Sequence, residues 1–506
     1  MVHRVFGATV FGGVTLLANI AAAEITTVQV WSDIEQQIKD AGYLIAATKT
    51  VNGDALTISD LQIAQLIPDT TAQLMFDIGT MTLSAVSPNT VSIEIPQTYP
   101  IRVIQDDGSD EDFALDLMQY ADDLRITATE AADDIAYSYT ANTVGVELVS
   151  VQSPEFDPTT DSVSGSIEFK NITATAQRHG DASASRDLSI SADLLEIKVA
   201  AQSSGSEVFD IDLRAGVSGL TYAEKVSLPI GHSQSDMVAA LRAGMTMTSA
   251  ASSDATAFKV TGTSEDGAFT AVFDAGQSDA TSSISGETVY VQGNTNGLVL
   301  DLAIPDIPIP ISGRMDQVSY AFDIPVSAKD TEQSFGIAMS LTGFGMSDAI
   351  WSLFDPNAYL SRDPVSASFE ILGRGKLGLD VLDETSFLED PIYGQDLELS
   401  SLTIKNMNIA GIGASVSAEG DFTFDNTDLD TYDGAPRPEG EGKVVLSGLN
   451  TLMSSLLDMG IIDSEQMFMA RMMLGGFMTP TGEDELTSDF EFTPDGGFYA
   501  NGQRLR

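Results

Sequence analysis

The residues with the most catalytic promise are Gly231-His232-Ser233-Gln234-Ser235, where a serine stands two places after a glycine and directly after a histidine. The apolar stretch Val226–Ile230 precedes them and a helical pattern follows. This is the setting of a G-x-S-x-G nucleophile elbow, in which a sharp strand-to-helix turn exposes the serine hydroxyl. Two features argue against that chemistry. The fifth position is Ser235, where the tight turn needs a residue without a Cβ. Hydrolases of that architecture also place the catalytic histidine after the serine, and no histidine follows His232. Beyond the first few residues the other histidine is His179, and a His179–Ser233 pair needs an unrelated fold to assemble it. The pattern predicts that Ser233 or Ser235 caps a helix, and no catalytic residue is assigned.

Metal and cofactor chemistry has little to draw on. With no cysteine and 3 histidines in 506 residues, thiolate and imidazole sites have no ligand set. Oxygen ligands are plentiful, and the run Asp425-Asn426-Thr427-Asp428-Leu429-Asp430-Thr431-Tyr432-Asp433-Gly434 is the best calcium candidate. Counted from Asp428, however, its glycine comes seventh rather than sixth, and no closing Glu stands where an EF-hand loop requires one. The acidic turn Gln105–Asp112 fails the same register. Both read as solvated turns, with calcium at either left open. Among 74 Asp and Glu residues a carboxylate pair for glycoside hydrolysis arises by chance. Gly343-Phe344-Gly345 and Gly411-Ile412-Gly413 lack the Lys-Ser or Lys-Thr of a phosphate loop and read as strand bends. No metal and no cofactor is expected. The methionine-rich stretch Met467–Met478 reads as a core helix, with an adaptable binding face as the rival reading.

The elements that must position these residues are mostly strands. A helix over Val28–Ala41, with Trp31, Ile34 and Ile38 on one stripe, is expected to be capped by Thr27 and ended by Gly42. Met81 and Leu83, then Val91, Ile93 and Ile95, alternate around the turn Ser87-Pro88-Asn89. Ser164–Thr175, Leu188–Val199, Val289–Leu302 and Leu397–Ile409 also have period-2 patterning, separated by Gly, Ser, Asp and Asn at hairpin distances. Short helices are expected over Ser235–Ala243 and Ser347–Phe354. A C-terminal pair follows, with Leu449, Leu452, Met453, Leu456 and Leu457 on one apolar face and Asp463 with Gln466 opening the second helix, Met467–Leu474. Phe490 and Phe492 then alternate, Pro494-Asp495-Gly496-Gly497 turns, and Phe498 begins a return strand. Gln105–Asp112, Thr431–Gly442 and the neighbourhood of Gly231 look like seams.

The first residues carry an address. His3 and Arg4 precede the uncharged, mostly apolar Val5–Ile20, and Ala21-Ala22-Ala23 has the small-x-small pattern of a cleavage site, with Glu24 as the first mature residue. The apolar run is shorter than the ~20 residues a spanning helix needs. No later run is long enough either, so the mature chain is expected to have no transmembrane segment. An outer-membrane barrel is disfavoured by the end Gln503-Arg504-Leu505-Arg506 and by the helices near it. A formal charge of −50 repels phosphate backbones and anionic headgroups, which excludes nucleic acid as a partner.

At the C-terminus the residues become distinctive. FTFDNTDLDTYDGAPRPEGEG (Phe422–Gly442), LNTLMSSLLDMG (Leu449–Gly460), RMMLGGF (Arg471–Phe477), GEDELTS (Gly482–Ser488) and FYANGQRL (Phe498–Leu505) resemble the bacterial family called domain of unknown function 2125, exported proteins of Gram-negative α-proteobacteria. SDAIWSLFDPNAYLSRDP (Ser347–Pro364) and the leader followed by a Trp-bearing helix are similar to the same family, whereas residues 150–300 match in composition alone. The resemblance implies a periplasmic protein with no established reaction and no catalytic residues to carry over.

The expected fold is mainly β: a long, curved antiparallel β-meander with a few covering amphipathic helices and an apolar groove. The expected organisation is a signal peptide at 1–23, a helix plus β-meander lobe at 24–230, and a β-rich lobe at 231–506 ending in a helix pair and hairpin. The leading functional expectation is a non-enzymatic periplasmic protein whose groove binds lipid or another apolar ligand. The alternative is a structural or interaction protein with an envelope partner, and the third choice is a hydrolase using Ser233.

Overall fold

The computed structural model describes residues 25–67, 70–105, 112–131, 134–179, 185–205, 208–229, 231–232, 236–307, 309–382 and 397–506. Among them are 26 strands and five helices, and the expected class is found: mostly antiparallel β with few helices. The leader, the Ala23–Glu24 cleavage position, Ser233 to Ser235 and most of the Gln105–Asp112 turn lie outside the described residues. Two compact units emerge, one running to Val272 together with Ile304–Asp306, the other Phe273–Ala303 with Ile307–Arg506.

The first unit opens with α1 (Thr27–Asp40). Its cap is Thr26, one residue before the expected Thr27: Thr26 is extended, its hydroxyl accepts from the Gln29 amide at 3.2 Å, and Gln29 Oε1 accepts from the Thr26 amide at 2.8 Å. Strands follow as β1 (Leu44–Asn52), β2 (Ala55–Leu66), β3 (Gln73–Ser87), β4 (Thr90–Glu94), β5 (Thr98–Gln105), β6 (Phe113–Asp122), β7 (Arg125–Ala131) and β8 (Asp134–Gln152). The long β9 (Asp161–His179), β10 (Ser185–Ser204) and β11 (Val208–Ser227) come next, then α2 (Met237–Arg242), β12 (Thr246–Ser253) and β13 (Ala255–Ser264). β3 pairs with β5 through its first half and with β4 through its second. β8 pairs with β7 and then β6 in the same way, so the two short pairs lie end to end between the longer strands.

The core sits under α1. Val30, Trp31, Ile34 and Ile38 pack on Leu56, Ile58 and Leu61 of β2, Met81 and Leu83 of β3, Val91 and Ile93 of β4, and Ile126 and Ala128 of β7. Burying each such side chain contributes roughly 1.5–3 kcal/mol. Ile58 and Leu61 are three residues apart and would face opposite sides of an unbroken strand. An irregularity at Ser59-Asp60, with Asp60 at φ 56, inserts the extra step that turns both inward. From β9 onward buried apolar residues thin out, and strand length replaces the core: β10 and β11 each run 20 residues and pair along most of their length.

The boundary between the units falls within β14 (Gly267–Ala275). The second unit continues with β15 (Ser278–Ser285), β16 (Thr288–Ala303), β17 (Ile311–Pro325), β18 (Gln333–Met346), α3 (Asp348–Phe354), β19 (Val365–Leu377), β20 (Leu397–Gly411), β21 (Ala414–Asp425) and β22 (Arg437–Ser447). The helix pair α4 (Leu449–Asp458) and α5 (Ser464–Phe477) leads to β23 (Thr479–Gly482), β24 (Glu485–Phe492), β25 (Phe498–Ala500) and β26 (Gln503–Arg504). Ring-over-glycine pairs recur: Tyr320 lies over Gly293 and Phe335 over Gly373, each directly across neighbouring strands, where a Cβ would meet the ring at under 3 Å. The ring covers backbone that the glycine leaves bare.

Several local expectations shift. Gly343 sits at the β18–β19 register break, as a strand bend does, but Ile412 and Gly413, at φ 49 and 86, form the β20–β21 hairpin turn. The Thr431–Gly442 seam is partly strand, since Arg437–Gly442 belongs to β22 and pairs with β21. α3 has Ser347 as its cap position, and α5 opens on the expected Asp463–Gln466 capping box but runs past Gly475-Gly476 to Phe477. Among the described residues no helix is long and apolar enough to cross a membrane.

Candidate functional site: an apolar sheet surface

The register of β1, β2, β3, β5 and β6 sorts residues into two rows. Ile45, Ile63, Phe76, Ile101 and Leu117 face one side, and Leu44, Ala64, Met75, Arg102 and Asp116 face the other. The first row continues the covered core, with Phe76 and Leu117 packed on the buried Leu74, Ile101 and Val103. Tyr99 belongs to that cluster, and burial pushes its phenol up to about 12.

The second row is uncovered and lies along a depression of about 430 Å³, within the size range of small-molecule sites. Leu44, Ala46, Ala64, Met75, Pro100 and Ile104 give it an apolar lining. Leu44 is 70% exposed, and Leu66, on the same face of β2, is 65% exposed. The polar contribution comes from Gln62, Asp77 and the Arg102–Asp116 pair, whose Nε and Oδ1 lie 3.0 Å apart. Asp116 also accepts from the Ser150 hydroxyl at 2.7 Å, so the carboxylate is held from two strands while the guanidinium stays half exposed. Such a surface can bury an alkyl chain and offers a half-exposed, ion-paired guanidinium to a head group.

Behind this sheet lies a polar cluster that sequence reasoning missed. Asp33 of α1 is buried and accepts from Gln37 Nε2 at 2.7 Å and from the Tyr137 hydroxyl at 2.5 Å. Burial first, then the Asp33 charge, raises the Tyr137 and Tyr139 phenols well above their usual range. The available signal was the i,i+4 spacing of Asp33 and Gln37 beside the Trp31–Ile34–Ile38 stripe. With acceptor and donors fixed, the cluster sets the rotation of α1 on the sheet.

A second depression, of about 500 Å³, lies on β15 to β20 of the other unit. Ser319, Ala321, Ala338, Ser340, Gln292, Asn294, Glu370 and Asn406 line it, so it mixes hydrogen-bonding and apolar surface.

The residues singled out from sequence scatter. Gly231 takes φ 79, as a turn requires, and His232 is exposed. Ser233 lies outside the described residues, as does the His179 side chain. α2 is capped by Asp236, whose Oδ1 accepts from the Ala239 amide at 3.1 Å, rather than by Ser233 or Ser235. The carboxylate already next to the helix serves that role. Asp425 and Asp428 converge on Arg437, at 2.8 and 2.9 Å, and take hydrogen bonds from Thr427 and Thr431. Among the described residues no group of three or more His, Asp or Glu side chains is arranged to hold a metal. The methionine-rich helix overturns its expectation: α5 buries none of its residues, and Phe468, Met472 and Met473 are 65, 62 and 66% exposed. In α4, Met453 is the residue that becomes buried. Compared with known proteins, the chain matches no family model and no curated protein.

Proposed function

We propose that this is an exported, non-enzymatic protein of the periplasm that binds a lipid or another apolar ligand along the open face of β1, β2, β3 and β5. The observation that carries this reading is the apolar depression of about 430 Å³ beside the exposed Leu44. The apolar leader with its Ala21-Ala22-Ala23 site supports the address, as do the acidic cysteine-free composition and the C-terminal likeness to the exported family.

Binding works by removing alkyl surface from water, at ~0.8 kcal/mol per methylene. Met75 adapts its shape to the chain it covers, and the half-exposed Arg102 guanidinium, beside its Asp116 partner, can donate a hydrogen bond to a polar head group. The test is titration of the protein with a fluorescent fatty acid, alongside native mass spectrometry of protein from its own periplasm. Saturable binding is expected, weakened at least tenfold in Met75→Asp with no change in melting temperature. A clean apo mass together with non-saturating fluorescence would sink the reading.

A further inference from the structure

We propose that α4, α5 and the neighbouring α3 form a docking tip that seats on the neutral interface of a phospholipid bilayer. The inference uses the second unit alone and stands whether or not the β1–β5 face holds a ligand.

Register places the three helices at one end of the sheet. Phe344 pairs with Val365, Ser366 with Ala410, Gly411 with Ala414, and Ser415 with Ser447. The end of β18, the start of β19, the β20–β21 turn and the end of β22 therefore share one end of the sheet. α3 leaves from the first of these and α4 from the last. The attachment is built in: Asp484, in the turn before β24, accepts from the Asn450 and Thr451 amides at 2.8 and 2.9 Å and so caps α4, whose own cap position is Gly448. Arg471 Nε then donates to Asn450 Oδ1 at 2.9 Å, tying α5 to α4.

What α5 presents is largely apolar, with Glu465 near its start and Arg471 as its charged residues. Met469, Met473 and Phe477 follow at i,i+4 spacing, with Phe468 and Met472 beside them, all exposed. On α3, Leu353 is 69% exposed and Phe354 about half exposed. From Met472 to Gly482 no residue is ionisable, in a chain where 19% are Asp, Glu, Lys or Arg. Soluble monomers rarely leave a row of large apolar side chains such as that of α5 exposed without a partner.

Charge and shape choose among partners. A second copy brings another −50, and an anionic membrane repels the same acidic body. A zwitterionic bilayer surface does neither. The apolar groups stand outward on helices, and an apolar helix face lying in the headgroup–acyl boundary is the arrangement of interfacial helices. Unbranched methionines conform to disordered acyl chains better than to a fixed protein pocket.

The test uses the full chain and phosphatidylcholine vesicles. The F468W variant should show a blue-shifted emission on adding vesicles, read against the wild type because Trp31 and Trp351 contribute background. In flotation, a triple variant with F468S, M472S and M473S should bind at least tenfold more weakly than the wild type. Its melting temperature should be unchanged, since these side chains are exposed. Replacing half the lipid with phosphatidylglycerol should weaken flotation, and added salt should restore it. No shift in F468W, or equal flotation of wild type and triple variant, overturns the proposal. Crosslinking from position 468 to an envelope protein without any vesicle response overturns it as well. Met75→Asp should float normally, so loss of ligand binding on the first unit leaves this result untouched.

Discussion

α1 and α5 are both 14 residues long and both open on a complete capping box, Thr26 with Gln29 and Asp463 with Gln466. Their fates differ. α1 buries Val30, Trp31, Asp33, Ile34, Gln37 and Ile38, whereas α5 buries nothing. The difference lies in what surrounds the apolar residues. α1 borders its apolar stripe with Glu35 and Lys39, which pair along its edge, with Glu35 reaching Lys49 of β1 as well. One face can therefore enter the core while the other stays in water. α5 carries Met or Phe on nearly every side and has no polar face to leave outside. Local signals settle where a helix begins; the polar complement settles whether it can be covered by its own chain.

The contrast can be broken at several strengths. Trp31→Ala should lower unfolding stability by ~3–5 kcal/mol, measured in denaturant, because a large side chain 2% exposed leaves a cavity under α1. Equal losses from Trp31→Ala and Phe468→Ala would show that both helices are equally peripheral. Tyr137→Phe removes one donor from a buried carboxylate and should cost about 1–3 kcal/mol, with the loss absent when Asp33 is first replaced by Ala. The capping residues give a finer distinction. Thr26→Ala and Asp463→Ala should each cost about 1 kcal/mol of helix stability, but Thr26→Ala should lower global stability. Asp463→Ala should speed amide exchange within α5 alone. Phe468→Ala should fall within about 0.5 kcal/mol of wild type.

Alkaline pH gives a fifth test of the covered helix. The Tyr137 and Tyr139 phenols are raised, chiefly by burial and then by Asp33. Above the unfolded value of about 10 the folded state therefore keeps protons that the unfolded chain releases, and stability falls as pH rises from there. Tyrosinate absorbance near 295 nm should show a subset of tyrosines that titrate only as the protein unfolds. A single free-phenol transition near pH 10 with unchanged stability would contradict the burial of this cluster.

Much of this was legible in the residues. Leu188–Val199 and Val289–Leu302 announce β10 and β16 through period-2 alternation, and Asp463 with Gln466 announces α5. Three features were hidden for physical reasons. The Asp60 irregularity depends on which neighbours β2 must face, which alternation alone does not contain. Asp33 and Gln37 look like solvent residues until Tyr137, 104 positions later, reaches the carboxylate. Arg437 likewise converts an acidic run with the look of a cation loop into an ion-paired turn, through contacts 9 and 12 residues away.

The successive pairing of β8, β9, β10 and β11 has a kinetic consequence. Each of these strands meets the one just before it in the chain, so each new pairing closes a short loop onto an existing template, and loop-closure entropy stays small at every step. Growth can begin where α1 gives the early strands a core and advance one strand at a time. Until its successor arrives, the newest strand is an open edge of up to 20 residues, the species most prone to pair with another chain. The speed of adding the next strand, more than the stability of the finished sheet, then decides whether the chain folds or aggregates.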